Sequence, residues 1–209
     1  MRGGCQYGCT YVCNENYMTR TYTLKRRAEQ QAETRLKIVE AAVELHSSVG
    51  PAQTTVSMVA ERAGVQRHTF YAHFPDERSL LLACSGLANE RDPAPDAAPW
   101  RSIADRGDRL RTGLRAVYDW YARNESLTAC VLRDAQHHAL VREINELWAG
   151  QTIAAWHEVL GAKLNARQRA LVSLALSFYT WRTLARESGL KQVAAVDAMV
   201  QAIEAAGEG

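Results

Sequence analysis

The chain has 209 residues, 47% hydrophobic and 23% charged, with 13 Gly, 5 Pro and a formal net charge of +2. That length and apolar fraction can build a buried core without metal or disulfide support. The composition excludes a collagen-like chain, a coiled-coil rod and a wholly disordered chain. No uncharged apolar run approaches the roughly 18 residues of a membrane span, and so small a net charge names no partner.

In chain order, residues 1–17 carry Gly3, Gly4 and Gly8 but no apolar run, so neither a core element nor a signal-peptide h-region is expected there. They read as an unstructured extension, from a start codon set too early, with Met18 as the working start. Cys5, Cys9 and Cys13 recur at four-residue spacing, but without a CxxC pair or a neighbouring His they do not specify a metal site. Cys84 and Cys130 make the count odd, which fits a reduced, cytoplasmic chain better than a disulfide framework. From Thr19 to Arg27 there are four cations, Arg20, Lys25, Arg26 and Arg27, and no carboxylate. Residues 1–30 are therefore read as a flexible basic extension able to reach phosphates or a minor groove.

Helical spacing begins with Ile38, Ala42, Leu45 and Val49, stopped by Gly50-Pro51. Thr55 is a plausible N-cap for a short helix with Val56, Val59, Ala60 and Ala63 inward. Gly64-Val65 breaks it. A second short helix follows from Gln66 to His73, with Phe70 and Phe74 inward. Pro75 ends that helix, and Asp76 can cap the next. Small Ala60 and Ala63 permit close helix approach, and Gly64 can take the left-handed turn conformation. This is the helix-turn-helix pattern. The outward residues of the second helix, Gln66, Arg67, His68, Thr69, Tyr71 and His73, can donate to phosphates or read base edges. The excess positive charge falls in this part: ten Lys and Arg against eight Asp and Glu through Arg78.

Asp92 to Pro99 holds three of the five prolines and marks a break. Beyond it every apolar run has helical spacing: Leu110, Leu114, Val117 and Tyr121; Ile144, Leu147 and Trp148; after Gly150, Ile153, Trp156 and Leu160. One long helix is expected between Asn165 and Gly189, and a last one around Val193, Val196, Val200 and Ile203. The expected fold is all-α: an N-terminal three-helix helix-turn-helix DNA-binding domain (31–80) and a C-terminal helical-bundle ligand-binding domain (81–209), to which the resemblance given below adds dimerisation. Aromatic side chains on several helices of the second part can wall a pocket. The candidate ligand contacts are Tyr118, Tyr121, Arg133, His137, Trp148, Trp156, Phe178 and Trp181.

The stretch Thr54 to Leu82, with Thr54-Thr55, Val59-Ala60, Ala63-Gly64-Val65, Thr69-Phe70-Tyr71 and His73-Phe74, resembles the tetracycline-repressor (TetR-type) family of bacterial transcription regulators. The resemblance implies phosphate contacts for Thr55 and Tyr71, and a contact near the backbone and base edges for Thr69. It also implies a specificity role for Gln66, Arg67 and His68, with Arg67 suited to a guanine edge. Ser57 lies near the start of the supporting helix. The chain departs from the family at His68, where a small residue is common, and at Glu77, where a phosphate-binding Lys is usual; Arg78 can stand in for that Lys. The resemblance further implies a homodimer through the last two helices, a palindromic double-stranded DNA operator and a small-molecule effector, with no membrane and no cofactor. No catalytic or metal-binding residue is expected. Asp134-Ala135-Gln136-His137 is a single, imperfect approach to the paired Glu-x-x-His of di-metal bundles, and there is no phosphate loop. The competing reading is a helical protein-interaction module without DNA binding, which leaves the Ala-Gly-Val turn and its polar helix unexplained.

Overall fold

The computed structural model describes residues 15–207 and contains helices and no strand among them. Cys5, Cys9 and Cys13 lie outside the described residues. The chain divides into two units at Lys37 and Ile38, each taken by itself. The first contributes the opening turns of α1, Glu15–Ser48. The extension expected over 1–30 is thus helical from Glu15 onward. Between Gly8 and Gly50 no Gly or Pro interrupts the chain, and Glu33 pairs with Lys37 one turn on at 2.8 Å.

In the second unit, the latter half of α1 buries Ile38, Val39, Ala42 and Leu45 against Val59, Phe70, Phe74 and Leu80. These last four lie on or beside α2 (Val56–Ala63), α3 (Arg67–His73) and α4 (Glu77–Arg91). Each boundary has a local cause. The Thr55 hydroxyl accepts from the Met58 amide at 3.3 Å and opens α2, and Asp76 accepts from the Ser79 amide at 2.7 Å and opens α4. Gly64 ends α2 at φ 67°, ψ 32°, and a Cβ there would meet nothing within 4 Å. Glycine is placed there for conformation, not for space.

The remaining helices are α5 (Arg106–Arg123), α6 (Glu125–Ala135), α7 (Ala139–Leu160), α8 (Ala166–Ala175), α9 (Phe178–Arg182) and α10 (Gln192–Ala205). Leu110, Leu114 and Val117 of α5, Trp156 and Leu160 of α7, and Val196, Val200 and Ile203 of α10 form their common core. A smaller apolar contact, Leu81 with Val141 and Ile144, ties α4 to α7. Among the described residues no helix is long and apolar enough to cross a membrane.

α7 runs without interruption through Gly150; a single glycine costs only about 1 kcal/mol, and packing on both sides outweighs it. One expectation about the elements is corrected. The single helix expected from Asn165 to Gly189 is interrupted at Leu176 and Ser177, and after α9 a wider turn spans Thr183–Glu187. At the interruption the carbonyls of Ala175 and Leu176 accept from the hydroxyls of Tyr118 (2.9 Å) and Tyr121 (2.7 Å). Both tyrosines are buried in α5, so their hydroxyls need partners, and the broken helix supplies them.

Candidate nucleic-acid interface and effector cavity

α3 has two chemically distinct sides. Phe70 and Phe74 are buried, 5.9 Å apart between ring centroids. Gln66, Arg67, His68 and Tyr71 are exposed, while Thr69 and His73 are half-buried. None of these six polar side chains makes a hydrogen bond or ion pair among the described residues. Gln66 occupies the N-cap position, yet its side chain leaves the capping role empty. Tyr71 stands edge-on to the buried Phe70 at 5.5 Å and is 47% exposed. Thr55 and Ser57 are exposed at the opening of α2.

The basic stretch falls on α1 in the first unit. Lys25, Arg26 and Arg27 are exposed and unpaired among the described residues; Arg20 is helical, and its side chain lies outside them. Arg78 does not stand free for a phosphate: its guanidinium donates to Glu143 of α7 at 2.6 Å. Glu77 is 3.3 Å from Nε2 of His138.

The second feature is a cavity of about 210 Å³. Its walls are stripes on three helices: Leu81, Cys84, Ser85, Ala88 and Asn89 on α4; Leu127, Thr128, Val131 and Leu132 on α6; Ile144, Asn145, Trp148, Thr152 and Trp156 on α7. Trp120 and Tyr121 of α5, Val43 and His46 of α1, and Asp92 and Asn124 also line it. Of the expected ligand contacts, Tyr121, Trp148 and Trp156 come together here. Tyr118, Phe178 and Trp181 sit instead in the core around the broken helix, with Phe178 5.4 Å from both Tyr121 and Trp181. The ring of Trp181 carries the Arg186 guanidinium at 5.1 Å. His137 is exposed in the turn between α6 and α7.

Arg133 has a different task. It donates to Asp134 at 2.8 Å and to the Val49 carbonyl at 2.8 Å, while Asp134 accepts from the Ala52 amide at 2.9 Å. Together they fasten the turn after α1 to α6. Asp134 is 6% exposed. Burial alone would raise its carboxyl; the bonds from Arg133 and Ala52 outweigh burial and hold it below the usual range. His46 is buried nearby at 4% exposure, and desolvation pushes its imidazole down to about 4, partly opposed by Asp134.

Sequence reasoning missed His46 and the α4 stripe as cavity walls. The signal was small residues, Cys84, Ser85 and Ala88, at inward helical positions facing the large side chains of α7, where a void is expected.

Residues 38–84 match the family described as "Bacterial regulatory proteins, tetR family". Over 60 residues the chain is 40% identical to the HTH-type transcriptional regulator TtgR of Pseudomonas putida, a stretch covering 29% of this chain and 29% of that protein. The curated relative is thus matched over less than a third of its length. Among solved structures, the transcriptional regulator FadR of Bacillus subtilis, in complex with stearoyl-CoA, has a TM-score of 0.56 at 20% identity, covering 80% of this chain and 96% of that one. The multidrug binding protein EbrR complexed with imidazole has a TM-score of 0.56 at 22% identity, covering 80% and 93%. At these identities the likeness is one of fold.

Proposed function

We propose that the chain, whose residues 38–84 match the tetR family of bacterial regulatory proteins, is a cytoplasmic, ligand-responsive transcriptional repressor of that family and not an enzyme. It binds a palindromic double-stranded operator as a homodimer, and a small molecule in the α4–α6–α7 cavity releases it. The observation that carries this reading is the outer side of α3: four exposed polar side chains that make no hydrogen bond or ion pair among the described residues, on a helix anchored by two buried phenylalanines. A monomeric core has no use for such a face; a DNA groove does.

In this reading Gln66, Arg67 and His68 meet base edges, with Thr69 and His73 beside them, while Thr55, Ser57 and Tyr71 hold phosphates. Arg20, Lys25, Arg26 and Arg27 add sequence-independent attraction. Residues 31–80 would form the DNA-reading domain and 81–209 the effector and dimerisation domain. The apolar side chains left in solvent at the chain's end, Leu174 of α8 at 52% and Val193 of α10 at 56% exposure, support dimerisation through the last two helices. A twofold pair presents two copies of α3 about one DNA turn (~34 Å) apart or somewhat more. Release requires that the effector bind the two dimer states unequally. TtgR is named as a transcriptional regulator, which supports the regulatory role, and EbrR as a multidrug binding protein, which supports the binding of small molecules.

A gel shift with the DNA upstream of the chain's own gene tests the reading. A discrete, competitor-resistant complex is expected; if the chain shifts that DNA no better than random duplex, the reading fails.

A further inference from the structure

We infer that the cavity takes an uncharged, largely aromatic molecule bearing one or two hydrogen-bonding groups, and rejects anions. The inference rests on reading this cavity as the effector site.

No Lys or Arg lines the cavity among the described residues. The one lining carboxylate, Asp92, is already taken. Its oxygens accept from Arg123 at 2.9 and 3.0 Å and from Asn124 at 2.7 Å, which neutralises it before any ligand arrives. The one lining imidazole, His46, stays neutral because burial disfavours its charged form. A carboxylate or phosphate entering here would lose its hydration and meet no opposite charge, a cost that burial of its apolar part does not recover. A permanent cation would likewise find the single carboxylate occupied.

The aromatic wall is apolar in effect. Trp120 donates its indole N–H to the Asp92 carbonyl at 3.0 Å, Trp156 to the Pro95 carbonyl at 2.7 Å, and the Tyr121 hydroxyl goes to Leu176. These rings therefore present faces and edges, with their polar ends satisfied elsewhere. The hydrogen-bonding capacity left to a ligand lies in His46 of α1, Ser85 and Asn89 of α4, Thr128 of α6, and Asn145, Thr152 and the indole N–H of Trp148 on α7. These side chains line the cavity and make no hydrogen bond within the described residues. Asn145 and Thr152 flank Trp148 on one stripe of α7, so a ring against Trp148 has neutral donors and acceptors on both sides.

Calorimetry on the purified full-length protein at pH 7, without DNA, tests the assignment with four probes of one ring system: 2-naphthol, naphthalene, 2-naphthoate and 2-naphthyltrimethylammonium. The expected result is saturable binding of 2-naphthol, with the carboxylate and the quaternary ammonium at least about thirtyfold weaker. Asn145→Leu should weaken 2-naphthol about tenfold while leaving naphthalene unchanged. Binding of either charged probe as tight as 2-naphthol, or no saturable 2-naphthol binding up to millimolar concentration, overturns the inference. The wild-type comparison needs no variant to fold. It is also independent of the gel shift, so failure of DNA binding and failure of the ligand class are read separately.

Discussion

At the scale of single residues, charge and backbone conformation decide the most. The native protein keeps His46 neutral down to about pH 4, whereas the unfolded chain takes up the proton near its ordinary value of 6.5. The stability tied to this group is therefore full above about pH 6.5 and drains as the pH falls towards 4, by up to about 3 kcal/mol. Urea unfolding at pH 7 and pH 4.5 should show a smaller acid loss for His46→Gln than for the wild type; equal losses would mean that His46 is solvated. Gly50 and Gly64, two of the three glycines at positive φ among the described residues, differ in kind. Gly64→Ala places a Cβ in open space at positive φ and should cost about 1 kcal/mol. Gly50→Ala has a larger conformational penalty, because φ 100°, ψ 155° is open essentially only to glycine, and it also drives its Cβ into the Arg133 guanidinium and the Asp134 carboxylate. A denaturation midpoint shift no larger for Gly50→Ala than for Gly64→Ala would contradict the clamp.

At the scale of elements, what was legible in the sequence was local. The caps at Thr55 and Asp76, the Gly64 turn and the Phe70–Phe74 spacing act within a few residues of themselves, so α2, α3 and α4 follow from the chain directly. The interruption of the helix expected over 165–189 does not, because its cause lies more than fifty residues upstream in Tyr118 and Tyr121. The same distance effect hid the cavity: aromatic spacing located Tyr121, Trp148 and Trp156, but only the packing of α4 against α7 separates those that face the void from Tyr118, Phe178 and Trp181 in the core. Arg133 read as a ligand contact because no local signal points to the Val49 carbonyl. If the tyrosine hydroxyls hold the broken helix, Tyr118→Phe and Tyr121→Phe each leave a buried carbonyl unpaired and cost about 1–3 kcal/mol in thermal or chemical unfolding. Losses below about 0.3 kcal/mol would show that water or the backbone satisfies those carbonyls instead.

At the scale of the whole molecule, the proposal joins an α3 face, an apolar terminal helix pair and a cavity into one device. The dimer is tested by sedimentation of Leu174→Glu and Val193→Glu, which should shift the wild-type dimer towards monomer without loss of helicity; unchanged mass would place the interface elsewhere. DNA reading by α3 is the part on which the rest depends. Fluorescence anisotropy with the upstream operator at fixed salt is its most direct test. Arg67→Ala should lose roughly 1–3 kcal/mol of specific affinity, five- to 150-fold, and leave binding to random duplex nearly unchanged. Equal operator affinity for the wild type and Arg67→Ala, with His68→Ala and Tyr71→Phe also unaffected, would contradict it.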